Sequence, residues 1–422
     1  MNEKKNRLAL LTVAIGIWLI AIPLTYGFGK HPVAYSDLAA GLLIIVFGLL
    51  SLAPKRVWSG WAVGLVGVWL QMAPLFFWAP TPLMYINDTV IGAVAIVLAF
   101  LFVKNDAPSG DIDRPAGWSY NPSGWSHRIP TVGLAMLCWF FSRYMAAFQL
   151  GYIDQIWDPF FTDGTLKVIT SQISRDFPVS DAGLGAVCYT LEFLLGWQGN
   201  SRRWAGMPWL VLAFAFLVIP VGIVSITLII LQPVVVGAWC SWCLATAACM
   251  LAMIVLTAGE LAAVLQFLNE ARKKGESVWK VFWKGGKVER SFFQAKPRSR
   301  PKDSLPWGVT LPWNLLVSIA IGIWLMASPS ALGMQNDLAT VNYIEGPMIA
   351  AFSVIALAEA FRGVRYVNIL FGIGLVLAPW FVSEANLLFI GNDVLAGLII
   401  IALAFRKGKI SERYGAWEKM IV

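Results

Sequence analysis

Apolar stretches long enough to cross a lipid bilayer recur along the whole chain, near residues 8 to 26, 37 to 53, 58 to 79, 87 to 104, 130 to 149, 181 to 198, 206 to 232, 239 to 267, 311 to 329, 343 to 361, 366 to 382 and 389 to 405. They predict an all-α integral membrane protein of about twelve membrane-spanning helices in three blocks of four. Two polar stretches separate the blocks: 105–128, with Pro108, Pro115 and Pro122, and 270–306, which is basic. The expected domains are 1–104, a linker at 105–128, 129–269, a second linker at 270–306, 307–409 and a tail at 410–422. Lys4, Lys5 and Arg7 before the first apolar run look like the start of a secretory signal, but the same run recurs later in the chain, which argues for a retained span.

That recurrence is an internal repeat. Gly16-Ile-Trp-Leu-Ile-Ala-Ile-Pro23, Gly67-Val-Trp-Leu-Gln-Met-Ala-Pro74, Gly322-Ile-Trp-Leu-Met-Ala-Ser-Pro329 and Gly372-Ile-Gly-Leu-Val-Leu-Ala-Pro379 are versions of one octamer. A glycine follows each proline at 17 or 18 residues (Gly41, Gly92, Gly346, Gly397), and Asp37, Asp88 and Asp393 stand four positions before three of them. The unit is therefore a helix pair of about fifty residues. Proline at the outer end of the first helix loses little hydrogen bonding, and Trp18, Trp69 and Trp324 can sit near headgroup depth. The aspartates suit N-caps where the chain re-enters, and the glycines suit close helix approach.

Composition fixes the solvent. An apolar fraction of 58% and a charged fraction of 13% exclude an ordinary soluble protein. Twenty-one tryptophans and ten tyrosines suit the two headgroup levels. The net charge of +8 is concentrated in 270–306, where eleven Lys or Arg face four acids. Between hydrophobic blocks such a segment reads as a linker held near anionic membrane lipid, not as a nucleic-acid patch. Lys55, Arg56, Lys104, Arg202, Arg203, Arg272, Lys273, Lys274, Arg362, Arg365, Arg406, Lys407 and Lys409 all fall on one side of a twelve-span topology. The opposite loops hold only scattered basic residues such as Lys30, Lys167 and Arg175. Both termini are expected on the cytoplasmic side, in a bacterial inner membrane.

The first and last blocks resemble the SPW repeat membrane domain, over roughly 210 residues. Only Ser328-Pro329 keeps the Ser-Pro half of that name and only Pro379-Trp380 the Pro-Trp half, while the octamer and its spacing hold in all four copies. This resemblance implies architecture and no activity.

The middle block carries the chemistry. Of five cysteines, at 138, 188, 240, 243 and 249, only Cys240-Ser-Trp-Cys243 has reactive spacing, at the start of the eighth span. At a helix start, i and i+3 side chains share a face and can close a disulfide, and the unpaired N–H groups of the first turn favour thiolate. The predicted topology puts that end at an outer, oxidising face. Leu244 follows the second cysteine where haem attachment needs histidine, and a zinc site lacks further ligands, His31 and His127 being the only histidines. A redox pair and a pair of inert buried thiols both remain open on spacing alone. Cys138 and Cys249 read as packing residues.

Residues Ile129 to Leu268 resemble the vitamin K epoxide reductase family, four-helix membrane bundles with a CxxC at the outer start of the fourth helix. Gly183-Leu-Gly-Ala-Val-Cys-Tyr189 resembles a stretch of that family's second helix. The resemblance implies that Cys243 reacts with a quinone, of ubiquinone or menaquinone type, and that Cys240 exchanges disulfide with a periplasmic thioredoxin-like thiol protein. It also implies a quinone pocket walled by the fifth to eighth spans, to which Cys188, Tyr189, Glu192 and Arg143 would belong. The chain departs from the family at Gly151 to Ser180, which contains no relay cysteine. A short amphipathic helix at Leu166 to Arg175 is expected there instead, with Asp154, Trp157, Asp158, Phe160 and Phe161 before it. Glu192, mid-span with Cys188 one turn away, is expected to pair with Arg143 or to stay protonated.

These observations predict a membrane thiol:quinone oxidoreductase. The rival expectations are a non-catalytic scaffold or partner-binding protein, favoured by the missing loop cysteines, and a transporter, disfavoured because every two-span repeat runs the same way.

Overall fold

The computed structural model describes residues 2–53, 58–102, 114–286, 288, 295–298, 307–382 and 386–421. Lys55, Arg56, Lys104, Pro108 and much of the basic linker, including Lys287, Arg290, Arg300 and Lys302, lie outside the described residues. The helices are α1 (Asn2–Thr25), α2 (Pro32–Leu50), α3 (Trp58–Phe76), α4 (Pro82–Phe102), α5 (Trp125–Gln149), α6 (Gly164–Ile169), α7 (Gln172–Arg175), α8 (Asp181–Trp197), α9 (Arg203–Gly206), α10 (Pro208–Leu231), α11 (Ser241–Lys273), α12 (Val278–Lys284), α13 (Trp313–Leu332), α14 (Asp337–Ile355), α15 (Asn368–Leu377) and α16 (Leu387–Ala404). A π-helical turn, Gln232–Val236, follows α10, and 3₁₀ turns occupy Glu359–Val367, Ala378–Trp380 and Gly415–Met420.

The protein is an all-α, multi-pass membrane protein. Eleven helices among the described residues are long and apolar enough to cross a bilayer. The twelfth expected span, 181 to 198, is the 17-residue α8, at the short end of what a bilayer requires. Two compact units divide the chain: Met1–Asp106 with Cys138–Gln198, and Ala107–Leu137 with Gly199–Val422. The division falls within α5 and again between α8 and α9.

In the first unit α1 packs on α2 and α3 on α4, and the octamer glycines set how closely. A Cβ on Gly41 would lie 2.7 Å from the Gly16 carbonyl oxygen, and one on Gly92 would lie 2.6 Å from that of Gly67. The second unit repeats this: Gly346 meets the Gly322 carbonyl at 2.8 Å and Gly397 that of Gly372 at 2.5 Å. Removing the side chain lets the backbones touch, which supplies the packing energy that lipid tails cannot.

The repeat aspartates are not N-caps. His31 caps α2, Asn386 caps α16, and α4 begins at Pro82. Asp37, Asp88 and Asp393 lie at least a turn inside their helices and are fully buried. Proline at the start of α2 and α4 removes an N–H, and His31, Thr81 and Asn386 each accept one in the first turn, so the carboxylates further along serve the interior.

In the second unit several cations expected in loops are buried. Arg203 forms an ion pair with Glu260 of α11, Nε to Oε1 and Nη2 to Oε2 both at 2.6 Å, and Ser123 donates to the same carboxylate. Arg365 donates to the Ala404 and Arg362 carbonyls at 3.1 and 2.8 Å, and Arg362 to Thr310. The stretch after α16 is equally built in. Glu359 accepts from the Ser411 N–H and hydroxyl at 2.7 Å and from the Tyr414 hydroxyl at 3.0 Å. Tyr414, Trp118 and Tyr120 stack edge to face in one core with Trp204 and Ala262. Burial pushes the Tyr120 and Tyr414 hydroxyls above the ordinary phenol range, so both stay neutral donors.

Candidate functional site

The cysteine pair is positioned by a break between two helices. α10 gives way to the π-helical turn Gln232–Val236, whose Pro233 brings no N–H, and Gly237 then takes a left-handed conformation at φ 69°. Buried Gln232 ties the break together. Its main-chain carbonyl accepts the Ala238 N–H at 3.3 Å and its side-chain Oε1 accepts the Cys240 N–H at 2.9 Å. Trp239 packs edge-on against Tyr343, ring centroids 5.9 Å apart.

Cys240 is the N-cap of α11. Its sulfur accepts the Cys243 N–H at 3.1 Å, doing what a serine hydroxyl does at an ordinary cap, and its carbonyl accepts the Leu244 N–H at 3.0 Å. Cys240 and Cys243 are joined as a disulfide across a Cα separation of 5.3 Å, the usual span for such a bond. Cys240 is fully buried and Cys243 half-buried. Exposure thus runs opposite to the roles expected from resemblance, in which Cys240 meets the external thiol. Cys138, Cys188 and Cys249 form no disulfide among the described residues, Cys138 being buried and the other two half-buried.

The other expected site residues belong to the first unit. Tyr189 is buried on α8. Glu192, also on α8, is fully buried, and neither carboxyl oxygen has a hydrogen-bond partner among the described residues. The expected Arg143–Glu192 ion pair does not form. Arg143 instead donates to the Thr89 hydroxyl at 3.1 Å and lies over the Tyr85 ring at 4.0 Å. A hydroxyl acceptor and an aromatic face already on α4 satisfy the guanidinium without moving it toward α8.

Residues 151 to 180 hold their shape without cysteines. Asp158 accepts from the N–H groups of Phe160, Phe161 and Thr165 at 2.8 to 3.0 Å. Gln149 reaches from the end of α5 to the Ile169 carbonyl at 3.1 Å, Ser174 at 2.9 Å and Asp181 at 2.6 Å. The single amphipathic helix expected at 166 to 175 is two short ones, α6 and α7, because the Ser171 hydroxyl caps a new start by accepting the Ser174 N–H. Trp157 and Phe160 stay exposed at 64% and 82%, as aromatic anchors at a lipid headgroup layer would.

A largely apolar cavity of about 290 Å³ is lined by Val218 and Gly222 of α10, Ile254 and Ala258 of α11, and Phe352 of α14. Ile254 lies well down α11 from Cys243, about 16 Å at the ordinary helical rise, so this cavity does not meet the disulfide. Its lining hydroxyls, Thr227 and Thr257, donate to the Ile223 and Met253 carbonyls of their own helices, so it suits an acyl or isoprenoid chain better than a ring.

The vitamin K epoxide reductase family model matches residues 129–258, and the SPW repeat domain model matches 7–101 and 312–407. Neither a curated protein nor a solved structure matches the chain. The match at 129–258 takes in both the cysteine pair at the head of α11 and the α8 residues Cys188, Tyr189 and Glu192, and the flanking matches cover all four glycine-paired helix hairpins. The chain carries a vitamin K epoxide reductase family domain between two SPW repeat domains.

Proposed function

We propose that the protein is a membrane thiol:quinone oxidoreductase of the inner membrane of a bacterium, with Cys240 and Cys243 as its redox centre. The observation that carries this reading is the Cys240–Cys243 disulfide at the N-terminus of α11 inside a vitamin K epoxide reductase family domain. A buried structural disulfide would more usefully join distant segments, since closing so short a loop removes little chain entropy. A disulfide across one helical turn is better explained as chemistry.

The reaction balances as follows. A thiolate of an external dithiol protein attacks the Cys240 sulfur, the bond between the pair breaks, and Cys243 leaves as thiolate. The partner's second thiol then displaces Cys240, so the partner is oxidised and the pair reduced. Re-forming the Cys240–Cys243 bond releases two electrons and two protons. A membrane quinone supplies the acceptor for both. The Cys243 N–H that now points at Cys240 sulfur remains available to a thiolate there.

With no relay cysteine between Gly151 and Ser180, the partner must reach Cys240 directly. Since Cys240 is buried, the turn over it must open, and left-handed Gly237 is the residue able to absorb that change. Glu192 and Tyr189 fit a quinone ring chemically: a buried carboxyl with no hydrogen-bond partner among the described residues and a buried phenol are groups on α8 able to bond a carbonyl oxygen.

The reading is tested with the full-length protein in quinone-loaded vesicles, reduced with a small dithiol and then freed of it. One quinol per re-formed disulfide is expected, and none in Cys243→Ala. Re-formation that consumes no quinone would leave the pair structural and the protein a scaffold.

A further inference from the structure

The four repeat copies place one polar residue four positions before each paired glycine: Asp37, Asp88, Asn342 and Asp393. In the second SPW repeat domain the two copies complete each other. Asn342 donates its amide to Asp393 Oδ1 at 3.0 Å, and Asn392 donates to the same oxygen at 2.8 Å. The Trp324 indole donates to the Asn392 carbonyl at 2.8 Å and fixes that amide. Asp393 Oδ1 is thus held by two N–H donors, while Oδ2 has none among the described residues.

The first SPW repeat domain has the same frame with one substitution. The Trp18 indole donates to Asn87 at 3.2 Å, and Asn87 donates to Asp88 Oδ1 at 3.3 Å. Where the second domain has Asn342, this one has Asp37, whose carboxyl lies within hydrogen-bonding reach of Asp88. Ser36, which stands before Asp37 as Asn87 stands before Asp88, accepts the Trp69 indole at 2.9 Å. Both aspartates are fully inaccessible to solvent, and Asp88 Oδ2 and both oxygens of Asp37 have no donor among the described residues. Two buried carboxylates in contact, with a single N–H donor between them that goes to Asp88, are unsatisfied both as charges and as acceptors.

We propose that Asp37 and Asp88 bind one proton between them, forming an acid–carboxylate pair inside the first SPW repeat domain. The bound proton does what the Asn342 amide does in the second domain: it supplies the hydrogen that one carboxyl gives the other. The site's ligand is a proton, and the pair carries one negative charge in place of two. The other titratable groups nearby are Tyr85 of α4, Arg143 of α5, which is bonded to Thr89 beside Asp88, and Tyr152 beyond α5. Near Asp393 the corresponding group is Glu345 of α14.

Infrared difference spectra of the full-length protein in vesicles, in light and heavy water, test the assignment. Wild type minus Asp37→Asn and wild type minus Asp88→Asn should each show one lost C=O band of a protonated carboxylic acid, shifted by deuterium, because each variant recreates the Asp393·Asn342 arrangement. Asn342→Asp should gain such a band. No acid band lost in either variant would overturn the proposal, as would a band lost in only one of them, which would mark an isolated acid and not a shared proton. The two aspartate variants decide the matter even if Asn342→Asp fails to fold.

Discussion

Cys240 caps the helix that begins with its own redox partner: the Cys240 sulfur accepts the Cys243 N–H at 3.1 Å while bonded covalently to the Cys243 sulfur. One sulfur atom therefore ends the loop, starts α11 and carries the disulfide. Substituting Cys240→Ser should keep the cap and the helix while abolishing thiol oxidation. Circular dichroism and thermal unfolding should match wild type to within a few degrees, and alkylation should find Cys243 permanently reduced.

Cys243→Ala leaves Cys240 as a lone nucleophile. In cells it should accumulate a mixed disulfide with the external partner, visible as a dithiol-sensitive shift on a non-reducing gel. Trapping through Cys243 in the Cys240→Ala variant, and none through Cys240, would reverse the roles, as the greater exposure of Cys243 permits.

Gln232→Ala removes the acceptor of the buried Cys240 N–H. Leaving that donor unpaired costs about 1–3 kcal/mol, and the loss falls on the turn that positions Cys240. The expected result is slower re-formation of the disulfide after reduction, with Gln232→Glu restoring much of the rate. An unchanged rate in Gln232→Ala would mean the turn is held by other contacts.

Close helix approach predicts a graded glycine series. Gly92→Ala forces a methyl to 2.6 Å from the Gly67 carbonyl and should cost about 1–3 kcal/mol, read as a lower unfolding temperature in detergent. Gly391→Ala, with nothing within 4 Å of the added carbon, should be neutral or mildly stabilising.

Arg203→Met strands buried Glu260 and should cost about 3–5 kcal/mol, whereas Arg203→Met with Glu260→Leu should recover most of it. Equal losses in the single and double variants would show that the pair adds no specific coupling.

The hydrophobic pattern alone located the helices, since apolar runs in lipid have few alternatives to helix. The octamer and its trailing glycine were legible because backbone contact tolerates only glycine, and the cysteine spacing because only i and i+3 meet at a helix start. The burial of Asp37, Asp88 and Asp393 was not legible from capping preference, because that preference is local, while their partners lie in another repeat copy. Aligning the four copies and noticing Asn342 at the same position would have revealed them as an interior set. Arg203 looked like a loop cation for the same reason: its partner Glu260 is distant in sequence. Arg143 and Glu192 looked like partners by depth, but Thr89 and Tyr85 were nearer. The split of 166–175 into two helices turned on one serine, Ser171, whose capping potential competes with helix continuation.

The central claim is that the Cys240–Cys243 bond turns over with quinone. The most direct test is the redox state of the pair in native membranes, read by differential alkylation and mass spectrometry with and without added quinone, with Cys243→Ala as control. The account predicts a disulfide that a thiol donor opens and quinone restores. Cysteines that stay reduced, or a disulfide indifferent to both reagents, would contradict it.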